Sequence, residues 1–238
     1  MPVDGGHLWA DDTGGDGPVL VLLHPGWGDS SIWLPVLERL PSHYRVIRYD
    51  TRGFGKSPAP AAPFSQLGDL AVVLDHRGAD RVMLVGHSAG GGTAIGLALA
   101  DPARVRGLLL LAPGVPDYPW PPDDPYGKQF DKLFAAGDRD AIAALSLRTW
   151  AAAGADQAAQ AQVRGAADAY FRLGDYERPD PLSTAGSARS GSRPQWSSEI
   201  RSTRWWHAAQ KTSPPGSPAA SRLPRRAPTT CCRCGCRP

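Results

Sequence analysis

Apolar residues in the first half of the chain fall into short unbroken runs separated by glycine, proline and polar residues. Val19 to Leu23 is the first such run, bounded by Pro18 on one side and by His24, Pro25 and Gly26 on the other. A run of that length without alternation fits a strand covered on both faces, as in a parallel sheet. Tyr44 to Tyr49, Val82 to Val85 and Val105 to Leu111 read as further strands, the last of them buried and closed by Ala112, Pro113 and Gly114. A short first strand is expected at His7 to Ala10, with residues 12–16 as its turn. Between the strands the spacing predicts three helices. One covers roughly Ile32 to Leu40 and is capped by Ser30 or Ser31, one runs from about Ser65 to Arg77, and one follows Ser88 and ends near Asp101. Strands alternating with helices predict an α/β fold with a mostly parallel sheet and helices on both faces.

Residues 116–125 are rich in proline and aromatics and form a loop by their chemistry. Beyond them the pattern is purely helical: Phe130, Leu133 and Phe134 share one face, Ile142, Leu145 and Trp150 another, and Val163, Tyr170 and Phe171 a third. These stripes read as packing surfaces. Trp120 and Trp150 fit an apolar pocket or plain core packing equally well. Helices inserted after a sheet strand form a cap over the strand ends. The expected organisation is therefore a core at 1–115, a helical cap at 116–180 and a tail at 181–238.

Composition changes the picture mainly at the tail. The 238 residues suffice for one domain with a sizeable core. The beginning has no basic and apolar leader pattern, and no apolar run approaches membrane-spanning length, so a cytoplasmic protein without a membrane partner is expected. The formal net charge is +3, but residues 181–238 carry nine Arg, one Lys and one acidic residue, Glu199, so the tail is strongly basic and the rest acidic. All four cysteines, Cys231, Cys232, Cys234 and Cys236, sit in the tail, so disulfides play no part in folding the body.

The candidate chemistry lies at Val82 to Gly91, where an apolar run stops at Gly86, His87, Ser88, Ala89 and Gly90 and a helix-forming stretch follows at once. Strand, sharp turn and helix with serine at the turn is the pattern of a nucleophile elbow. Glycines at 86 and 90 let strand and helix approach, and the helix N-terminus offers free N–H groups beside the hydroxyl.

Four motifs together carry a resemblance: His24 to Trp27, Asp50 to Ser57, Gly86 to Gly90, and Leu111 to Gly114. In order and spacing, residues 1–180 resemble the α/β-hydrolase family, especially its small bacterial esterase, lactonase and haloperoxidase-like members. The resemblance implies a serine hydrolase acting on an ester-like or other acyl bond of a small molecule, with no cofactor and no metal. It implies Ser88 as nucleophile and the Ala89 N–H as one oxyanion donor. The second donor comes from the loop after His24, with Gly26 at the matching position and Trp27 as runner-up. Asp50 and Arg52 are structural in such proteins, and serine at position 88 argues against a dehalogenase mechanism. The same triad also serves cofactor-free haloperoxidase or perhydrolase chemistry.

That family's order is Ser, then Asp or Glu, then His. Of the six histidines (His7, His24, His43, His76, His87 and His207), only His207 follows Ser88, and no strand precedes it. Asp117 and His207 are the weak candidates for acid and base, and the expected triad is incomplete. Three readings of the tail stay open. It is a basic nucleic-acid arm with Trp205 and Trp206 for stacking, a metal-binding cysteine cluster, or coding sequence read in the wrong frame. New codons built from the last base of one residue and the first two of the next bear on the third reading. Trp205, Trp206 and His207 must then give Val and Ala, because Trp has one codon. Suitable third bases from Arg193 onward give an apolar strand ending in Gly and Asp, and a His arises at Thr229 and Thr230. This reading accounts together for the Arg, Pro and Cys excess, the charge break and the missing triad. A non-catalytic protein binding a small molecule or nucleic acid is the alternative from a different class.

Overall fold

The computed structural model describes residues 1–115 and 124–173. Strands β1 (Pro2–Val3) and β2 (Gly6–His7) form a small hairpin. Strands β3 (Ala10–Asp12), β4 (Val19–Leu23), β5 (Arg45–Tyr49), β6 (Val82–His87) and β7 (Val105–Leu111) form a sheet in the order β3-β5-β4-β6-β7. Only β3 runs antiparallel, with Asp11 opposite Arg48. The central register aligns Ile47, Val21, Leu84 and Leu108 across the four parallel strands. The expected strand at His7 to Ala10 is split. His7 ends β2 and Ala10 begins β3, while Leu8 is drawn into the core with its N–H donating to Met1 O at 2.9 Å.

Alternation along the strands sends side chains to two layers. Val21, Leu23, Ile47, Tyr49 and Leu84 pack on one face against α2 (Gln66–His76) and α3 (Ala89–Ala100). Leu20, Leu22 and Val46 pack on the other against Trp33 and Leu37. Ser65 caps α2 as expected, accepting from Gly68 N at 3.0 Å.

The helix after β4 departs from expectation. Residues Ser30–Trp33 form a 3₁₀ turn, and α1 (Leu34–Leu37) is short. Asp29, not Ser30 or Ser31, caps the turn, accepting from Ser31 N at 2.8 Å. The Ser30 N–H is instead taken by the buried Asp50 carboxylate at 2.8 Å. Pro41 disfavours helical backbone at Leu40, so the helix stops early.

The cap helices are α4 (Pro125–Ala135), α5 (Arg139–Trp150) and α6 (Gln157–Leu173). Their apolar stripes meet one another: Phe130, Ile142 and Leu145 form a buried cluster against which Phe134, Trp150, Val163, Tyr170 and Phe171 pack. The described residues place Trp27 of the sheet layer in the same cluster. Trp120 lies outside the described residues.

β7 departs from the buried strand that its sequence suggests. Leu108, Leu109 and Leu111 are 41%, 55% and 41% exposed, and adjacent residues of a strand point to opposite faces, so each face carries an exposed leucine, while Val105 and Leu110 pack against the core. Among the described residues β7 is the last strand of the sheet.

Candidate active site

β4 and β6 are parallel neighbours with Leu23 opposite Gly86, so the loops leaving their carboxyl ends emerge side by side. β5 lies on the far side of β4, so the strand order reverses here, where open α/β sheets form a crevice. Ser88 sits at the end of β6 with φ 50° and ψ −116°, a conformation that costs a non-glycine residue on the order of 1–3 kcal/mol. Backbone bonds hold it: Ser88 N donates to Leu111 O at 3.0 Å, and Ser88 O accepts from Gly91 N at 2.9 Å and Gly114 N at 2.7 Å. The two glycines are required by close approach. A Cβ on Gly86 would lie 2.5 Å from Gly90 O, and one on Gly90 would lie 2.5 Å from Leu23 O. Ala89 is the first residue of α3, so its N–H has no acceptor within the helix. Among the described residues the Ser88 hydroxyl has no hydrogen-bond partner.

The loop after β4 is pinned from several sides. His24 is buried, its Nδ1–H donates to Pro25 O at 2.8 Å, and its Nε2 accepts from Thr51 N at 3.0 Å. These partners select the neutral Nδ1–H tautomer. Burial holds the His24 pKa below the ordinary value, although Asp50 and Asp29 pull the other way. Gly26 lies opposite the start of α3: a Cβ built on it would be 3.8 Å from Ala89 Cβ. The ring of Trp27 turns toward the cap, 5.0 Å from Tyr170 and 6.1 Å from Phe130 between centroids. Gly26 therefore lies beside Ala89, the residue that follows Ser88. Asp117 and His207 lie outside the described residues, as does the tail with its cysteines.

Asp50 and Arg52 make structural contacts. Asp50 accepts from Ser30 N and from Lys56 N, both at 2.8 Å. Arg52 forms a two-pronged ion pair with Asp69 at 2.8 and 2.7 Å. No group of three His, Cys, Asp or Glu among the described residues is placed to hold a metal. No helix among them is long and apolar enough to cross a membrane.

Sequence reasoning missed the cap residues that reach this loop. Tyr170 donates its hydroxyl proton to Gly26 O at 2.9 Å. Gln162 accepts from Asp29 N at 2.6 Å, and its amide donates to Asp29 Oδ1 and Ser31 Oγ. Residues 170 and 26 are 144 positions apart, and no local pattern pairs them.

Buried His24 and half-buried His87 give a pH dependence. His24 and His87 both have folded pKa values lowered by burial from 6.5. Below that value the unfolded chain takes up protons that the folded one refuses, so stability is lost as pH falls. The unfolding free energy is therefore expected to fall as pH drops from 6.5 to 5.5. Urea midpoints across that range check it, and a midpoint that rises on acidification contradicts it.

Comparison with known proteins agrees with this architecture. Residues 18–208 match the family model of the alpha/beta hydrolase fold. The chain is 34% identical over 130 residues to a putative carbamate hydrolase RutD of Caulobacter sp. (strain K31), covering 52% of this chain and 46% of that one. It is 37% identical over 101 residues to the pimeloyl-(acyl-carrier protein) methyl ester esterase of Pseudoalteromonas atlantica, covering 42% and 39%. The chain spans less than half the length of these curated relatives. The crystal structure of a hydrolase from Pseudomonas aeruginosa PA01 superposes with a TM-score of 0.58 at 27% identity, covering 72% of this chain and 69% of that one. A family match over four-fifths of the sequence, on a parallel sheet with a strained serine between strand and helix, makes this chain a member of the alpha/beta hydrolase family.

Proposed function

We propose that this chain attacks the carbonyl carbon of small ester-like substrates through Ser88, with the N–H groups of Ala89 and of Gly26 or Trp27 receiving the oxyanion. The observation that carries this reading is the backbone at Ser88, forced to φ 50° beside the first N–H groups of α3. Such strain persists only where the surroundings over-determine it, and it holds the hydroxyl where negative charge on a neighbouring oxygen meets fixed donors. The named relatives point the same way: one is a putative hydrolase of carbamates and another an esterase of methyl esters, and both bonds are cleaved at an acyl carbon.

The step is acyl transfer. Ser88 Oγ bonds to the carbonyl carbon, the leaving group departs with the electron pair of the broken bond, and the serine proton passes to a base or to water. Water then releases the acid. The sequence supplies no histidine after Ser88 except His207, so the proposed activity includes a slow second half in which the acyl group stays on Ser88.

Incubation with p-nitrophenyl acetate followed by peptide mass mapping tests this. The expected result is a single acetyl group on Ser88 that outlasts free substrate and is absent from Ser88→Ala. Acetylation confined to lysines removes the nucleophile, and rapid steady turnover removes the impaired second half.

A further inference from the structure

We propose that Tyr170, on cap helix α6, is a positioning residue for the amide donors of the loop after β4. The proposal rests on the hydrolase reading above and names a group that the reading does not contain. The carbonyl of Gly26 and the N–H of Trp27 belong to one trans peptide and point in opposite directions. Whatever holds the carbonyl therefore aims the N–H. Tyr170 Oη holds it at 2.9 Å. His24 does the same for the preceding peptide, with Nδ1 at 2.8 Å from Pro25 O, and so aims the N–H of Gly26. The two candidate donors are thus oriented from two different places, one inside the core and one in the cap.

Tyr170 cannot turn away without disturbing the cap. Its ring lies 5.0 Å from Trp27, 5.5 Å from Phe54 and 6.0 Å from Phe130. Gln162, two turns earlier on the same helix, binds the Asp29 N–H and the Ser31 hydroxyl, so α6 grips this loop at both ends. Gly26 has no need of left-handed backbone, yet a Cβ there would stand 2.6 Å from Tyr170 Oη and 3.9 Å from Cζ. The glycine at position 26 is explained by the phenol that occupies the space a methyl would need. Docking of the cap and aiming of the donor are therefore one event.

The test is a double-mutant cycle of Gly26→Ala and Tyr170→Phe, read by urea unfolding and by the rate of Ser88 acetylation. Gly26→Ala alone is expected to lower the unfolding midpoint, and adding Tyr170→Phe to raise it again, because removing the hydroxyl leaves ordinary van der Waals spacing. Tyr170→Phe alone is expected to slow acetylation about tenfold at saturating p-nitrophenyl acetate while the half-saturating concentration stays unchanged, since the group aims a donor and does not hold the ester. The carbonyl carbon resonance of Gly26 is expected to move upfield in the same variant. Additive midpoints overturn the contact and leave the hydrolase reading standing, and coupled midpoints with an unchanged acetylation rate overturn the positioning role. Acetylation that survives Ser88→Ala overturns the hydrolase reading and the meaning of Tyr170 with it.

Discussion

A chain whose codons after about 182 are read one base earlier is expected to hydrolyse p-nitrophenyl acetate faster than the present chain by roughly four to six orders of magnitude. That is the range separating an intact serine triad from one lacking its base, where the oxyanion hole and binding alone leave about 10³–10⁴ over water. The fold places Ser88 in a strained turn at the start of α3. The expectation rests on the proposed lack of a proton acceptor oriented by a carboxylate: the sequence after Ser88 offers one histidine, in a stretch of arginine, proline and tryptophan. With suitable third bases the shifted text supplies what the visible text lacks: an apolar run ending in Asp, then His before a last helix. Steady turnover in place of a persistent acetyl-Ser88 is the expected readout. A coding sequence with no open shifted frame, or a restored chain no faster than the present one, sinks the idea.

Arg52→Ala is expected to cost about 3–5 kcal/mol of unfolding free energy, the usual loss when one member of a buried ion pair is removed. Both side chains are 3% exposed, and two parallel bonds join them. The guanidinium carbon also lies 4.7 Å over the Phe64 ring. Burial raises the Asp69 pKa although Arg52 opposes it, so without Arg52 the carboxyl must take up a proton or drag water into the core. The damage reaches the crevice: Arg52 follows Thr51, whose N–H fixes His24 Nε2, and Asp50, which holds Ser30 N. Replacing both partners together by Leu and Met is expected to recover most of the loss. Urea unfolding of the single and paired variants checks this, and a single-variant loss below about 1 kcal/mol contradicts a buried pair.

Much of the fold was legible because its signals are local. The unbroken run at Val82 to Val85, stopped by glycine and serine and followed by a helix, specifies the strained turn without knowledge of any neighbour. The stripes at Phe130, Ile142 and Val163 specify three helices that need each other. What escaped is long-range. Ser30 looked like a helix cap until Asp50, from the next strand end, claimed its N–H. Leu108, Leu109 and Leu111 read as buried from their apolar run, although lack of the family's last strands already implied a sheet edge at Val105 to Leu111. The tyrosine that reaches Gly26 read as one member of a helical stripe, since no spacing links two residues across a cap. Acid and base could not be located in the fold, because Asp117 and His207 fall outside the described residues.

The row of bare leucines along β7 bears on how the protein behaves in a tube. Peptide groups on an outer strand can bond to any extended backbone that slides alongside, and apolar side chains above and below reward whatever arrives. Two molecules meeting there edge to edge extend one sheet into the other as a two-fold pair, each covering the other's edge. Such pairing is expected to grow with concentration, so the chemistry is followed in dilute solution, where the leucines of neighbouring copies seldom meet.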